Sequence, residues 1–231
     1  MGSRYLNKFL NTNYKKYIYE IQFEQLRNKI IVIDTSIYLY KFKKDHMLLE
    51  GFYQMISLFR KYEIIPIFVF EGVPPSEKKD TLKERYNKKI LSLEEYYSIY
   101  DKIYMLEKED KDTTNLKLKL EHIKKDATTI NLRDIKLVKK LIYSYGGQVL
   151  TSNGEAEKLC SHLVYIKKAD YCLSEDMDVF VYGCPNVLRY LSLLRETVIF
   201  YNFKHILQEL NISLLDFKKI CILTGTDYNN S

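Results

Sequence analysis

Ile30-Ile31-Val32-Ile33-Asp34-Thr35-Ser36 decides how the rest of this sequence is read. Four consecutive β-branched residues form the continuous apolar run of a strand buried on both faces. The run ends on an acid and two hydroxyl residues, and a helical pattern follows from Ile37 to Phe42, with Asp34 or Ser36 as its cap. A strand covered on both faces needs helices on both sides, so this short stretch already predicts a layered α/β arrangement.

The same grammar recurs outward from it. Met55 to Arg60 is helical in pattern, and Ile64 to Phe70 reads as a second strand with Pro66 near its start. That strand ends at Glu71-Gly72, and Val73-Pro74-Pro75 breaks the chain. Ala127 to Tyr145 is helical and ends at Gly146-Gly147, and Gln148-Val149-Leu150 is a third strand. Ser152 to Ile166 reads as a helix in which Ser152 and Glu155 fit a capping box. Tyr171 to Ser174 is a fourth strand leading into Glu175-Asp176-Met177-Asp178; Val179 to Tyr182 is apolar, and Thr197 to Tyr201 is a further strand. Ser213 to Leu223 is amphipathic and Gly225 ends it. The expected fold class is α/β, with a mostly parallel central sheet flanked by helices. Between the second strand and the helix at Ala127, residues 76–125 are dense in charge and free of Gly and Pro. Tyr96, Ile99, Tyr100 and Ile103 recur there at helical spacing, and Glu107 to Thr114 is a polar tip. This reads as a helical insertion rising from the domain.

With 231 residues, the chain is long enough for one α/β domain with a real core, and a 46% hydrophobic fraction excludes wholesale disorder. The net charge of +6 is compatible with a phosphate-rich partner and equally with a plain Lys-rich surface. Cys160, Cys172, Cys184 and Cys221 form no C-x-x-C pair and His46, His122, His162 and His205 no spaced set, which argues against zinc and for reduced, structural thiols in a reducing, intracellular compartment. No apolar run approaches the ~18 residues of a membrane span, and the N-terminus has no signal-peptide core. Met1-Gly2 opens a myristoylation pattern that Leu6 fails to complete.

In parallel sheets, ligands bind outside the carboxyl ends of the strands. Asp34, Glu71 and Asp176 each follow a strand directly, so the topology brings them to one edge. With Glu155, Glu157, Asp178 and Asp227 they make seven acids after apolar runs or at helix starts. Two unit charges about 4 Å apart cost roughly 4 kcal/mol at an effective dielectric near 20, so such a cluster calls for a neutralising cation. Each member also has a plainer reading. Asp176 and Asp178, at i and i+2, project to one side of an extended segment, yet alone they are a polar turn after a strand. Glu155 and Glu157 share a site only if they straddle a helix start; otherwise one completes a capping box and the other meets the helix dipole. Asp227 alone is an acidic turn residue. Lys78 and Arg85, about two turns apart, can both touch phosphates or form a solvated basic face. Tyr40 can stack on a base or simply pack its helix.

In this order, the motifs resemble the flap endonuclease family, the structure-specific 5′ nucleases related to the XPG nucleases. The resemblance runs from Met1-Gly2 and Leu6 through Val32-Ile33-Asp34-Thr35-Ser36 and Val69-Phe70-Glu71-Gly72-Val73-Pro74-Pro75. It is densest from Gly154-Glu155-Ala156-Glu157 to Ser174-Glu175-Asp176-Met177-Asp178, and it ends at Cys221 to Tyr228. Residues 81–132 match only loosely. The resemblance implies a PIN-like 5′-nuclease domain over residues 1–231, with the insertion at about 76–125 as a helical arch. It implies two Mg²⁺ ions, with Mn²⁺ as an alternative, held by Asp34, Glu71, Glu155, Glu157, Asp176, Asp178 and Asp227. Lys78 and Arg85 correspond to the basic pair on the scissile phosphate, Tyr40 to the aromatic that stacks at the cleavage site, and Gly2 to the N-terminal residue near the junction. Glu71 stands where the family usually has Asp. The family's Gly-rich helix–two-turns–helix element, which grips duplex DNA, and its sliding-clamp tail both lie beyond Tyr228, and this sequence ends at Ser231.

The expected activity is Mg²⁺-dependent hydrolysis of DNA phosphodiester bonds at a 5′ flap, free 5′ end or junction, in replication, repair or recombination, in the nucleus or at another site of DNA replication. Two other classes remain open: a PIN-like ribonuclease, and a non-catalytic DNA-binding protein.

Overall fold

The computed structural model describes residues 5–73, 78–109 and 111–225; within its helices the side chains of Lys79, Asp80, Leu82, Arg85 and Asp126 lie outside that description. In chain order the elements are α1 (Leu6–Asn13), β1 (Ile18–Gln22), β2 (Ile30–Asp34), α2 (Thr35–Lys44), α3 (Leu48–Lys61), β3 (Ile65–Phe70), α4 (Lys79–Lys108) and α5 (Thr114–Asp126). They continue as α6 (Leu132–Ser144), β4 (Gln148–Thr151), α7 (Ala156–Tyr165), β5 (Tyr171–Leu173), α8 (Asp178–Val181), β6 (Asn186–Ser192), β7 (Thr197–Asn202), α9 (Phe203–Leu210) and α10 (Leu214–Leu223).

One seven-stranded sheet runs in the order β1-β7-β6-β5-β2-β3-β4. The five strands from β6 to β4 are parallel, so the expected architecture holds. Alternation along β2 explains the two cores. Ile31 and Ile33 point into a cluster with Phe52, Met55 and Phe59 of α3 and Val138 and Ile142 of α6. Val32 points the other way, into a cluster with Cys160 and Val164 of α7, Phe180 of α8 and Phe217 of α10. The four cysteines are buried and none forms a disulfide among the described residues. No helix among the described residues is long and apolar enough to cross a membrane.

The antiparallel edge was not foreseen in full. β7 lies where the sequence placed it, but it pairs antiparallel with both β6 and β1, neither of which reads as a strand. β1 alternates with polar residues and is mostly exposed. In β6 the ladder slips between Arg189 and Ser192, and Tyr190 takes a left-handed φ of 55° there. Such a bulge interrupts the periodicity a sequence reading relies on.

Three local expectations also change. The segment from Ala127 to Tyr145 becomes helical only at Leu132, where Asn131 and Asp134 close a reciprocal capping box. The Ser152–Glu155 box does not form. Its helix begins at Ala156 with Glu155 in the cap position, and Ser152 Oγ donates to the Gly154 carbonyl instead. Asp34 occupies the N-cap of α2 without a side-chain cap hydrogen bond. The insertion is two helices, α4 of 30 residues and α5 of 13, packed through Ile99, Ile103 and Ile123.

Gly72 draws β3 and the β4–α7 connection together. Its N–H donates to the Gly154 carbonyl at 2.9 Å, and a Cβ there would overlap the Ser152 carbonyl oxygen. Gly72→Ala is therefore expected to cost about 1–3 kcal/mol of stability, measured by urea unfolding.

Candidate functional site

The ends of β5, β2, β3 and β4 lie side by side, and each delivers carboxylates to one edge. Asp34 closes β2, Glu71 follows β3, and Glu155 and Glu157 stand at the start of α7 after β4. Asp176 and Asp178 follow β5. Asp34, Glu157 and Asp178 are buried, whereas Glu71 is exposed.

A hydrogen-bonded loop holds this edge. Ser174 Oγ donates to Asp34 Oδ2 at 2.9 Å and accepts from the Asp176 N–H at 3.1 Å. The Asp178 N–H donates to Asp176 Oδ1 at 2.9 Å, and Tyr182 Oη donates to Glu155 Oε2 at 2.7 Å. From behind, Arg189 donates to the Glu175 carbonyl at 2.9 Å and to Asn7 Oδ1 at 2.8 Å. Glu175 Oε1 in turn accepts from the Tyr190 N–H at 2.6 Å. Sequence reading missed Ser174, Tyr182 and Arg189. Ser174 had a signal in its position directly before Glu-Asp-x-Asp; Tyr182 and Arg189 arrive through tertiary contacts that leave none.

Lys78 is where the structure departs furthest from expectation. It stands immediately before α4, only 8% exposed, rather than on a solvated helix face. Its ammonium forms an ion pair with Glu155 and lies 4.0 Å from Glu157. Arg85 lies within α4, and its side chain is outside the described residues, as are Gly2 and Asp227 altogether. Tyr40 is not packed into its helix. It is 38% exposed, and the Lys89 ammonium of α4 sits 4.9 Å from the centre of its ring.

The electrostatics record the crowding. Burial, opposed by the Ser174 hydrogen bond and reinforced by the Glu71 and Asp176 charges, pushes Asp34 up to about 7. Burial, then the Asp34 charge and further Glu155 and Asp176, pushes Glu157 up to about 9. Five of the predicted acids, Asp34, Glu71, Glu155, Glu157 and Asp176, thus act on one another. Among the described residues three buried side-chain polar atoms lack a hydrogen-bond partner: Asp34 Oδ1, Tyr38 Oη and Arg189 Nε. Two of the three residues are Asp34 itself and Tyr38, one turn along α2 from it. Also among the described residues, no three His, Cys, Asp or Glu side chains make a closed ligand set in this arrangement. With Lys78 drawn against Glu155, a lysine supplies positive charge beside the two glutamates. The donors are all oxygen and one buried carboxylate oxygen has nothing to bind, which fits a hard divalent cation.

The raised acids fix the sign of a pH dependence. A carboxyl group that holds its proton more tightly in the fold stabilises it fully below the unfolded pKa, and that contribution is lost as pH rises through the folded value. The metal-free protein is therefore expected to lose stability from about pH 4 to about pH 9, on the order of a few kcal/mol. Thermal melting in EDTA checks this: Asp34→Asn should reduce the slope below about pH 7, and Glu157→Gln should reduce it across the whole window and remove what remains above pH 7.

Known proteins place this edge in context. Residues 1–92 match the XPG N-terminal domain, and residues 146–227 match the XPG I-region. The chain is 30% identical to flap endonuclease 1 of Glycine max over 250 residues, covering 100% of this chain and 62% of that protein. It therefore spans less than two thirds of that relative. Among solved structures, the flap endonuclease-1 of Methanococcus jannaschii superposes with a TM-score of 0.62 at 26% identity, over 94% of this chain and 71% of that one. The catalytic core of Rad2 superposes with a TM-score of 0.69 at 22% identity, over 100% of this chain and 61% of that one, a likeness of fold. The two matched regions, the first of which runs into α4, contain every one of the seven acids, and the chain belongs to the XPG-type flap endonuclease family.

Proposed function

We propose that this chain is a divalent-metal-dependent, structure-specific 5′ nuclease acting on DNA with a 5′ flap, a free 5′ end or a junction, with Mg²⁺ as the ion. The observation that carries the reading is the buried carboxylate edge with Lys78 drawn into it. Asp34, Glu71, Glu155, Glu157, Asp176 and Asp178, with Asp227, would hold two ions. Bound there, the ions supply an activated water and charge stabilisation for an in-line phosphodiester displacement.

The chain's own groups account for the rest. Ser174 fixes the Asp34 carboxylate and the Asp176 backbone, so the spacing between the β2 and β5 ligands is set before substrate arrives. Tyr182 orients Glu155. Lys78 brings a positive charge to the place a scissile phosphate must approach, and Arg85 on the following helix adds a second. Tyr40, exposed beside α4, offers a ring to the terminal base. The α4–α5 pair is the arch under which a single strand passes.

The test is cleavage of a 5′-labelled double-flap DNA beside a nicked duplex and a matched RNA flap. Cutting at the DNA junction is expected, abolished by EDTA and by Asp176→Asn. Preference for the RNA flap would replace this reading with a PIN-like ribonuclease. Binding without cleavage in Mg²⁺ or Mn²⁺ would leave a DNA-binding protein. Lys78→Met is expected to lower single-turnover cleavage by about 10²–10³-fold while leaving the fold intact by circular dichroism. Substrate affinity should fall steeply between 50 and 200 mM salt, as it does for proteins that neutralise several phosphates.

A further inference from the structure

The helix α4 carries two apolar faces, and only one is covered. Tyr96, Ile99 and Ile103 pack on Leu116, Leu120 and Ile123 of α5. The ion pairs Lys119–Glu95 at 2.8 Å and Lys117–Glu107 at 2.7 Å flank that contact. The other face consists of Tyr86, Ile90, Leu93, Tyr97, Tyr100 and Tyr104, each between 36% and 64% exposed. At 3.6 residues per turn these six fall within about 80° of the helix surface, and at 1.5 Å per residue they run for about 27 Å. A continuous apolar stripe of this length on a surface marks an interaction site.

The spacing says what kind of partner fits. The intervals alternate four, three, four, three, four, which is the period a second helix reads in a coiled-coil seam. Four tyrosine rings could also stack on bases. Along the upper half, however, the open flank carries Glu94 and Asp101, neither with an ion-pair partner among the described residues, and they repel a phosphate backbone.

Charge selects the partner and its direction. With Ile90, Tyr97 and Tyr104 at a and Tyr86, Leu93 and Tyr100 at d, Glu94 and Asp101 fall at e and Lys89 at g. Antiparallel copies would set Glu94 and Asp101 against the same two acids. Parallel copies in register set Glu94 against Lys89 of the second copy, the lysine that also lies over its own Tyr40 ring, a favourable e–g pair. The α5 helix lies to one side of the seam and leaves it open. We propose that the chain self-associates by parallel, in-register pairing of α4 along Tyr86 to Tyr104.

Size-exclusion chromatography with light scattering is the test. The wild-type chain is expected to move toward twice its 27.6 kDa as concentration rises, and Tyr97→Glu should hold it at the monomer mass. A cross-link guards against a variant that merely misfolds. The native cysteines are buried, so Tyr100→Cys oxidised with diamide should give a disulfide-linked dimer, while Lys102→Cys on the outer face should not. A monomer at every concentration without a Tyr100→Cys cross-link overturns the proposal, as does a dimer that Tyr97→Glu leaves intact. A monomer in which Tyr97→Glu weakens binding of a single-stranded oligonucleotide also overturns it, and makes the stripe a base-stacking track.

Discussion

Carboxylates gathered where water is excluded must be neutralised, and that requirement organises this protein. Asp34 is nearly inaccessible, with one oxygen held by Ser174 and the other holding nothing. Glu157 is almost as buried, and of the like charges around it Asp34 acts on it most strongly. A hydrophobic side chain at either position would pack at no electrostatic cost, so the fold carries an avoidable penalty at one edge of its sheet. In the isolated chain, raised carboxyl pKa values and the Lys78 ammonium meet it in part. A cation meets it fully, and the all-oxygen donor set is suited to a hard one.

The supporting parts are arranged to keep that edge from relaxing. Five parallel strands bring the acids alongside one another, and both faces of the sheet are packed with large side chains, Phe52, Phe59 and Phe68 on one and Phe180, Phe203 and Phe217 on the other. Gly72 closes the distance between β3 and the β4–α7 connection, which no larger residue allows. Arg189 locks the Glu175 segment to α1, so the loop bearing Asp176 cannot swing away from Asp34 without breaking a buried guanidinium network. The site is rigid on the sheet side. The helical insertion, rooted at Lys78, carries the long exposed stripe of α4, and among the described residues α4 and α5 pack chiefly on each other.

What the sequence made legible follows from period and order. The β-branched run at Ile30–Ile33 and its repeats after α3 and before Asp176 carry a signal because strands buried on both faces are continuously apolar. Strand ends then placed three acids at one edge by topology alone. β1 and β6 gave no such signal, since an edge strand with one solvated face and a bulged strand both break the pattern. The Ser152–Glu155 box failed for a different reason. The local motif was sound, but Glu155 is engaged by Lys78 and Tyr182, and a buried charged contact outweighs a cap. For Lys78 the sequence left a phosphate contact and a solvated basic face both open, because spacing along a helix says nothing about what another segment brings to its first turn.

That first turn has a consequence for the helix it begins. The N-terminus of a helix presents a partial positive charge, and a lysine there has the unfavourable sign. Lys78 nonetheless heads a helix of 30 residues and makes no side-chain cap hydrogen bond. Glu155, from a segment far away in sequence, sets a negative charge directly against that lysine. The root of α4 is thus tied to the carboxylate edge: whatever claims Glu155 also takes the partner of Lys78, and the set of the insertion becomes coupled to what the edge has bound.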